Sequence, residues 1–111
     1  MNPYIDEIKN ELEILKDIII KNVPTEQIYL FGSYAYGTPH DNSDIDIYIV
    51  MKDDANMREL DAMTKVNLGR IKRKLGKPVD VLALKKKRFW DRASDTTMER
   101  KITRDGVKIY G

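Results

Sequence analysis

The chain has 111 residues, 41% of them hydrophobic and 34% charged, which suits one compact α/β or α+β domain and is far from the composition of disorder. With no cysteine and a single histidine, His40, it has no disulfide framework, thiolate metal site or histidine-built zinc centre, so any metal must be held by carboxylate oxygens. A formal net charge of +2 does not by itself point to nucleic acid, and the longest apolar runs, such as Ile18-Ile19-Ile20, fall far short of the roughly 20 residues that span a bilayer.

The opening Met-Asn-Pro-Tyr-Ile-Asp lacks the basic and apolar regions of a secretory leader, so a cytoplasmic location and no membrane role are expected. Over residues 4–22, Ile5, Ile8, Leu12, Leu15 and Ile19 recur at steps of three and four and predict one amphipathic helix, its stripe broadened by Ile14, Ile18 and Ile20. Val23-Pro24 stops it, because the residue before a proline is pushed out of helical geometry. Ile28-Tyr29-Leu30-Phe31 then reads as a buried strand delivering the chain into a tight turn at Gly32-Ser33. Residues 37–43 have the composition of a loop.

A second strand is predicted over residues 44–50, where Ile45, Ile47 and Ile49 alternate with polar positions and supply a buried face. Asp54 or Asn56 is a candidate cap for a helix with Leu60, Met63, Asn67, Ile71 and Leu75 at helical spacing, ended by Gly76 and Pro78. A third strand covers residues 79–84. Residues 86–104 read as one weakly patterned helix with Phe89, Ala93, Met98 and Ile102 as candidate buried positions, and Gly106 releases a short strand over residues 107–110. Helices and strands alternate without repeats or linkers, which favours a single layered α/β domain spanning residues 1–111.

Asp44 and Asp46 stand two apart on a strand, so both carboxylates leave the same face and repel one another unless a cation lies between them. Mg²⁺ suits such a pair, since it takes oxygen ligands from one or two carboxylates and completes its shell with substrate phosphates. Asp80, flanked by Val79, Val81 and Leu82, is a third acid inside a strand; if that strand lies beside the second, it joins the pair and serves either metal or an attacking hydroxyl. Three acids and two metals suit in-line phosphoryl or nucleotidyl displacement. Gly32 admits close approach of backbone N–H groups to a phosphate, Ser33 adds a hydroxyl, and Gly37 provides a second close approach or a positive-φ turn. Neither a Walker loop nor a dinucleotide fingerprint is present. Each feature alone is commonplace, but Gly-Ser followed at this spacing by Asp-x-Asp arises by chance in about one in a thousand chains of this size.

Gly32-Ser33, ten intervening residues, Asp44-x-Asp46 and the later Val79-Asp80-Val81 resemble the minimal nucleotidyltransferases of the DNA polymerase β superfamily, with a looser match in Asp105-Gly106-Val107-x-x-Tyr110. The resemblance implies a nucleotidyltransferase fold with a small mixed sheet flanked by helices, two Mg²⁺ ions and an NTP. It implies metal binding by Asp44 and Asp46, triphosphate contact by Gly32 and Ser33, and a third catalytic and metal-site acid at Asp80. Stand-alone members of this size often act as antitoxins that transfer AMP from ATP to a tyrosine of a HEPN-domain ribonuclease, so a HEPN partner and such a transfer are the expectation. Tyr36 stands where many relatives carry arginine, which bears on how phosphate is held.

The other readings are plainer. Lys85-Lys86-Lys87-Arg88 beside Phe89 and Trp90 has the chemistry of an RNA patch, yet a solvated basic run accounts for it, and nucleic acid is not the favoured partner. A Ser33, His40, Asp41 hydrolytic triad lacks a nucleophile elbow. The alternative to an enzyme is a binding protein that neutralises its partner by contact alone, which would tolerate conversion of Asp44 and Asp46 to asparagine.

Overall fold

The structure, a computed structural model, describes residues 2–111. The predicted first helix is broken at Ile8 into α1 (Pro3–Glu7) and α2 (Lys9–Asn22), because Ile8 leaves helical geometry at φ −114° and ψ 18°. The apolar stripe survives the break: Ile5, Ile8, Leu12, Leu15, Ile18 and Ile19 are all buried, while Ile20 is exposed. Four strands follow, β1 (Thr25–Phe31), β2 (Ile45–Met51), β3 (Val79–Lys85) and β4 (Val107–Tyr110), in sheet order β3-β2-β1-β4. β2 and β3 run parallel, whereas β1 pairs antiparallel with both β2 and β4, which gives the small mixed sheet flanked by helices.

Gly32-Ser33 does not open a simple turn but the one-turn helix α3 (Gly32–Tyr36), too short for periodicity to reveal. Gly37 closes it at φ +79°, with its N–H donating to the Ser33 carbonyl, so this glycine serves a left-handed cap and not a close approach. Asn2 anchors the other side of α3, its side-chain amide donating to the carbonyls of Tyr34 and Ala35 at 3.0 and 3.1 Å.

α4 (Glu59–Lys72) starts after Arg58, not at a cap from Asp54 or Asn56, and it buries a different stripe from the one predicted. Ala62 and Val66 face inward while Leu60 and Ile71 are exposed. The reason is the closeness of α2: at Gly69 an added Cβ would lie 2.6 Å from Ile18 Cγ2, so small residues occupy the packed face and the leucines are turned outward. The single helix expected over residues 86–104 is α5 (Lys86–Ala93) and α6 (Met98–Asp105). Between them Ser94 Oγ donates to the Asp91 carbonyl, Thr97 Oγ1 to the Arg92 carbonyl, and the Arg100 N–H donates to Thr97 Oγ1, so side chains of the intervening turn take over backbone partners and start a new helix. Phe89 and Ile102 are buried as predicted, but Met98 is exposed.

Both sheet faces are covered. Ile45, Ile47, Ile49 and Met51 of β2 pack with α1, α2 and α4 in the larger core. Tyr48 and Val50, on the opposite face, join Tyr29, Phe31, Phe89 and Ile102 beneath α5 and α6. The face carrying the acids is therefore an apolar face over much of its length, and not a solvated one.

Candidate active site

The parallel register of β2 and β3 places Asp46 directly opposite Asp80. Asp44 lies just ahead of β2 and is exposed, as is Asp80, whereas Asp46 is partly buried. Period-two alternation puts Asp46 on the Tyr48–Val50 face, at the end that α5 and α6 leave uncovered. Ser43, a buried residue not singled out from the sequence, fixes the approach to Asp44: its hydroxyl accepts from the His40 N–H at 2.8 Å and its own N–H donates to the His40 carbonyl at 2.9 Å.

On the other side of Asp46, β1 pairs Phe31 with it and turns into α3. Gly32 is at φ +74°, and any Cβ there would overlap Asp46 Oδ2, so the missing side chain is the space in which this carboxylate lies. The first N–H groups of α3, those of Gly32 and Ser33 among them, have no acceptor within the helix. The site thus sets backbone N–H groups of a helix start beside crowded carboxylates.

That crowding shows in the protonation of Asp46. Burial, the Asp80 carboxylate and the Asp44 carboxylate, in that order, push it from an ordinary 3.8 up to about 6. The three acids are close enough to act on one another, yet among the described residues no three His, Asp or Glu side chains gather tightly enough to enclose a metal ion unaided. The two observations agree if a cation here takes only part of its shell from protein. All-oxygen donors and an excess of negative charge fit Mg²⁺ shared with a nucleotide's phosphates.

Two clefts flank α3. One, about 560 Å³, is lined by Ala35, Tyr36, Lys101, Arg104 and Asp105, so α6 forms its far wall. The other, about 310 Å³, is lined by Tyr4, Glu7, Tyr34, Pro39, His40, Asp41 and Lys77; Ser33 is not part of that lining, so the three residues of the imagined triad do not share this cleft. Three of the four basic side chains from Lys85 to Arg88 have local partners: Lys85 Nζ donates to the Ala55 carbonyl, Lys86 pairs with Glu26 and Arg88 with Glu59.

The family profile described as the nucleotidyltransferase domain matches residues 12–103. The chain belongs to that family. It is 34% identical over 104 residues to the protein adenylyltransferase MntA of Shewanella oneidensis, an alignment covering 92% of this chain and 66% of that protein, so the chain spans just under two thirds of the length of this relative. In three dimensions the nucleotidyltransferase domain resembles a chain of the toxin–antitoxin MntA–HpeT carrying two aspartate-to-glutamate changes (TM-score 0.59, 25% identity, 93% of this chain and 72% of that one). It also resembles a putative nucleotidyltransferase from Sulfolobus solfataricus (TM-score 0.51, 28% identity, 91% of this chain and 83% of that one). The family read from Gly32-Ser33 and Asp44-x-Asp46 is thereby confirmed. Among the described residues, no helix of the nucleotidyltransferase domain is long and apolar enough to cross a membrane.

Proposed function

We propose that this nucleotidyltransferase domain is the antitoxin of a toxin–antitoxin pair and transfers AMP from ATP to a tyrosine hydroxyl of a HEPN-domain partner, releasing pyrophosphate. The observation that carries the reading is the placement of Asp46 against Gly32, with Asp80 opposite and Asp44 just ahead of the same strand. The kinship with an adenylyltransferase and with a toxin–antitoxin complex supports the acceptor class.

Asp44 and Asp46, with Asp80 beside them, would hold Mg²⁺, two ions in this reading, and the metal when bound supplies positive charge to the triphosphate and the acceptor oxygen. Gly32 and Ser33 hold phosphate oxygens through backbone N–H groups and a hydroxyl. The acceptor oxygen forms a bond to the α-phosphorus as the bond from that phosphorus to the bridging oxygen breaks. Pyrophosphate leaves with that electron pair, and Asp80 receives the hydroxyl proton.

The test is Mg²⁺-dependent transfer of label from α-labelled ATP to a candidate HEPN partner, with the folded Asp44→Asn/Asp46→Asn variant beside the parent. Transfer by the parent and none by the variant supports the reading. A complex that silences the partner with no label moved from any NTP establishes the contact-only antitoxin instead.

A further inference from the structure

A triphosphate seated at Asp44, Asp46 and Asp80 brings several negative charges to a place that already holds three carboxylates. The segment that meets it, Gly32-Ser33-Tyr34-Ala35-Tyr36-Gly37, contains no lysine or arginine. Backbone donors alone would have to offset that repulsion unless cations reach the site from elsewhere in the fold. Two do. Lys101 and Arg104 stand three apart on one face of α6, and both line the cleft that α6 makes with Tyr36. Lys101 Nζ lies 4.6 Å from the Tyr36 ring centroid.

Tyr36 connects this wall to the acids. Its hydroxyl is held above the ordinary tyrosine value first by burial, with the Gly32 amide opposing, Asp105 and Asp46 adding, and Arg104 opposing. One phenol thus lies within electrostatic reach of Gly32, Asp46 and Arg104. α6 itself is firmly placed: Ile102 is fully buried, and Glu99 accepts from the Tyr48 hydroxyl at 2.9 Å and from Arg92 Nε at 2.7 Å, so the backbone carrying Lys101 and Arg104 is fixed while their charged ends stay exposed.

We propose that Lys101 and Arg104 bind the β- and γ-phosphates of the nucleotide in the cleft that α6 makes with Ala35 and Tyr36 of α3; this rests on the nucleotidyltransferase reading of the acids. The α-phosphate must sit at the carboxylates for transfer, and Lys101, over the Tyr36 ring, lies in the direction proposed for the departing pyrophosphate. Arg104 donates at present to Asp105 Oδ2 at 2.9 Å. Between exposed side chains such a pair is weak, so a phosphate that accepts a charge-assisted hydrogen bond displaces it readily. Lys77, beside Tyr34 in the opposite cleft, is the competing cation.

Equilibrium binding of Mg²⁺-ATP, Mg²⁺-pyrophosphate and AMP separates the possibilities, measured on the parent, Lys101→Met/Arg104→Gln, Lys101→Arg/Arg104→Lys and Lys77→Met, each with its thermal midpoint. The neutral pair of substitutions is expected to weaken ATP and pyrophosphate by roughly ten- to hundredfold and leave AMP unchanged. The charge-keeping pair restores most of that loss, and Lys77→Met has no effect. Equal weakening of ATP and AMP, undiminished ATP binding in the neutral variant, or a loss confined to Lys77→Met overturns the proposal. In those cases AMP transfer by the parent leaves the nucleotidyltransferase reading standing; a parent that binds no nucleotide at all removes both.

Discussion

Replacing Asp46 by asparagine removes a charge and almost no volume, and it tests whether the acid site is held at a cost to the fold. The Asp46 carboxyl is raised from 3.8 to about 6 by burial first, then by Asp80 and Asp44. Because the folded value lies above the unfolded one, the folded state holds the proton more tightly between them. Stability of the metal-free protein therefore falls as pH rises from about 4 to about 6, and the full penalty is present at neutral pH. A shift of that size corresponds to about 3 kcal/mol, which solvent screening of a partly exposed group reduces to about 1–2 kcal/mol. Urea and thermal unfolding in chelator should find Asp46→Asn more stable than the parent by that amount at about pH 7.5, some 4–8 °C in midpoint, with the gap closing towards pH 4. Mg²⁺ with ATP should raise the midpoint of the parent and have far less effect on the variant. A variant no more stable than the parent at neutral pH, or a gap that does not depend on pH, refutes the account of Asp46 as a crowded, desolvated acid.

Gly32→Ala puts a methyl group into Asp46 Oδ2 at a residue with φ +74°, and is expected to cost about 2–4 kcal/mol in urea unfolding and to abolish label transfer with all three acids intact; near-parental behaviour on both counts removes the claim that the carboxylate occupies this glycine's missing side chain. Glu99→Gln weakens the buried link from Tyr48 to Arg92 and should cost about 1–3 kcal/mol at neutral pH. Burial pushes the Glu99 carboxyl up, but the hydrogen bonds from Arg92 and Tyr48 outweigh it and leave it below its ordinary 4.5. Its stabilisation is therefore present above about pH 4.5 and lost as pH falls through the folded value, so unfolding curves of parent and variant should converge in acid.

The acids, the Gly-Ser motif and the apolar stripe from Ile5 to Ile19 were legible because each is a local pattern, whereas the break at Ile8 was not. Asp44 and Asp46 need only a strand to share a face, and the stripe from Ile5 to Ile19 needs only a helix. The pairing of Asp46 with Asp80 was legible only as a condition, since strand order is a long-range fact. What was misread follows from the same distinction. On α4 the large residues Leu60 and Ile71 suggested the buried face, but the distance of closest approach to α2 is set by Gly69 against Ile18, a constraint from 51 residues away in sequence. On β2, Tyr48 looked like a member of a polar face, and only the arrival of Phe89 and Ile102 makes that face apolar. The short α3 lies below the length at which any period can be counted.

The aromatic cluster and the site are parts of one arrangement, and the last strand sets both. β4 pairs Val107 with Leu30 of β1, one residue before Phe31 and two before Gly32. Gly106 joins α6 to that strand: its N–H donates to the Ile102 carbonyl at 2.9 Å, and an added Cβ would lie 2.6 Å from that carbonyl oxygen and 3.1 Å from the Leu30 oxygen. The close approach draws the end of α6 onto β1, so Ile102 seals the far part of the face while Lys101 and Arg104 come level with Tyr36. Had α6 extended further over β2, it would have covered Asp46; had it lain further away, Phe89 and Tyr48 would have lost part of their cover. The apolar lid thus ends where the carboxylates begin, and partial burial at that boundary, with Asp80 and Asp44 alongside, raises the Asp46 carboxyl above its ordinary value.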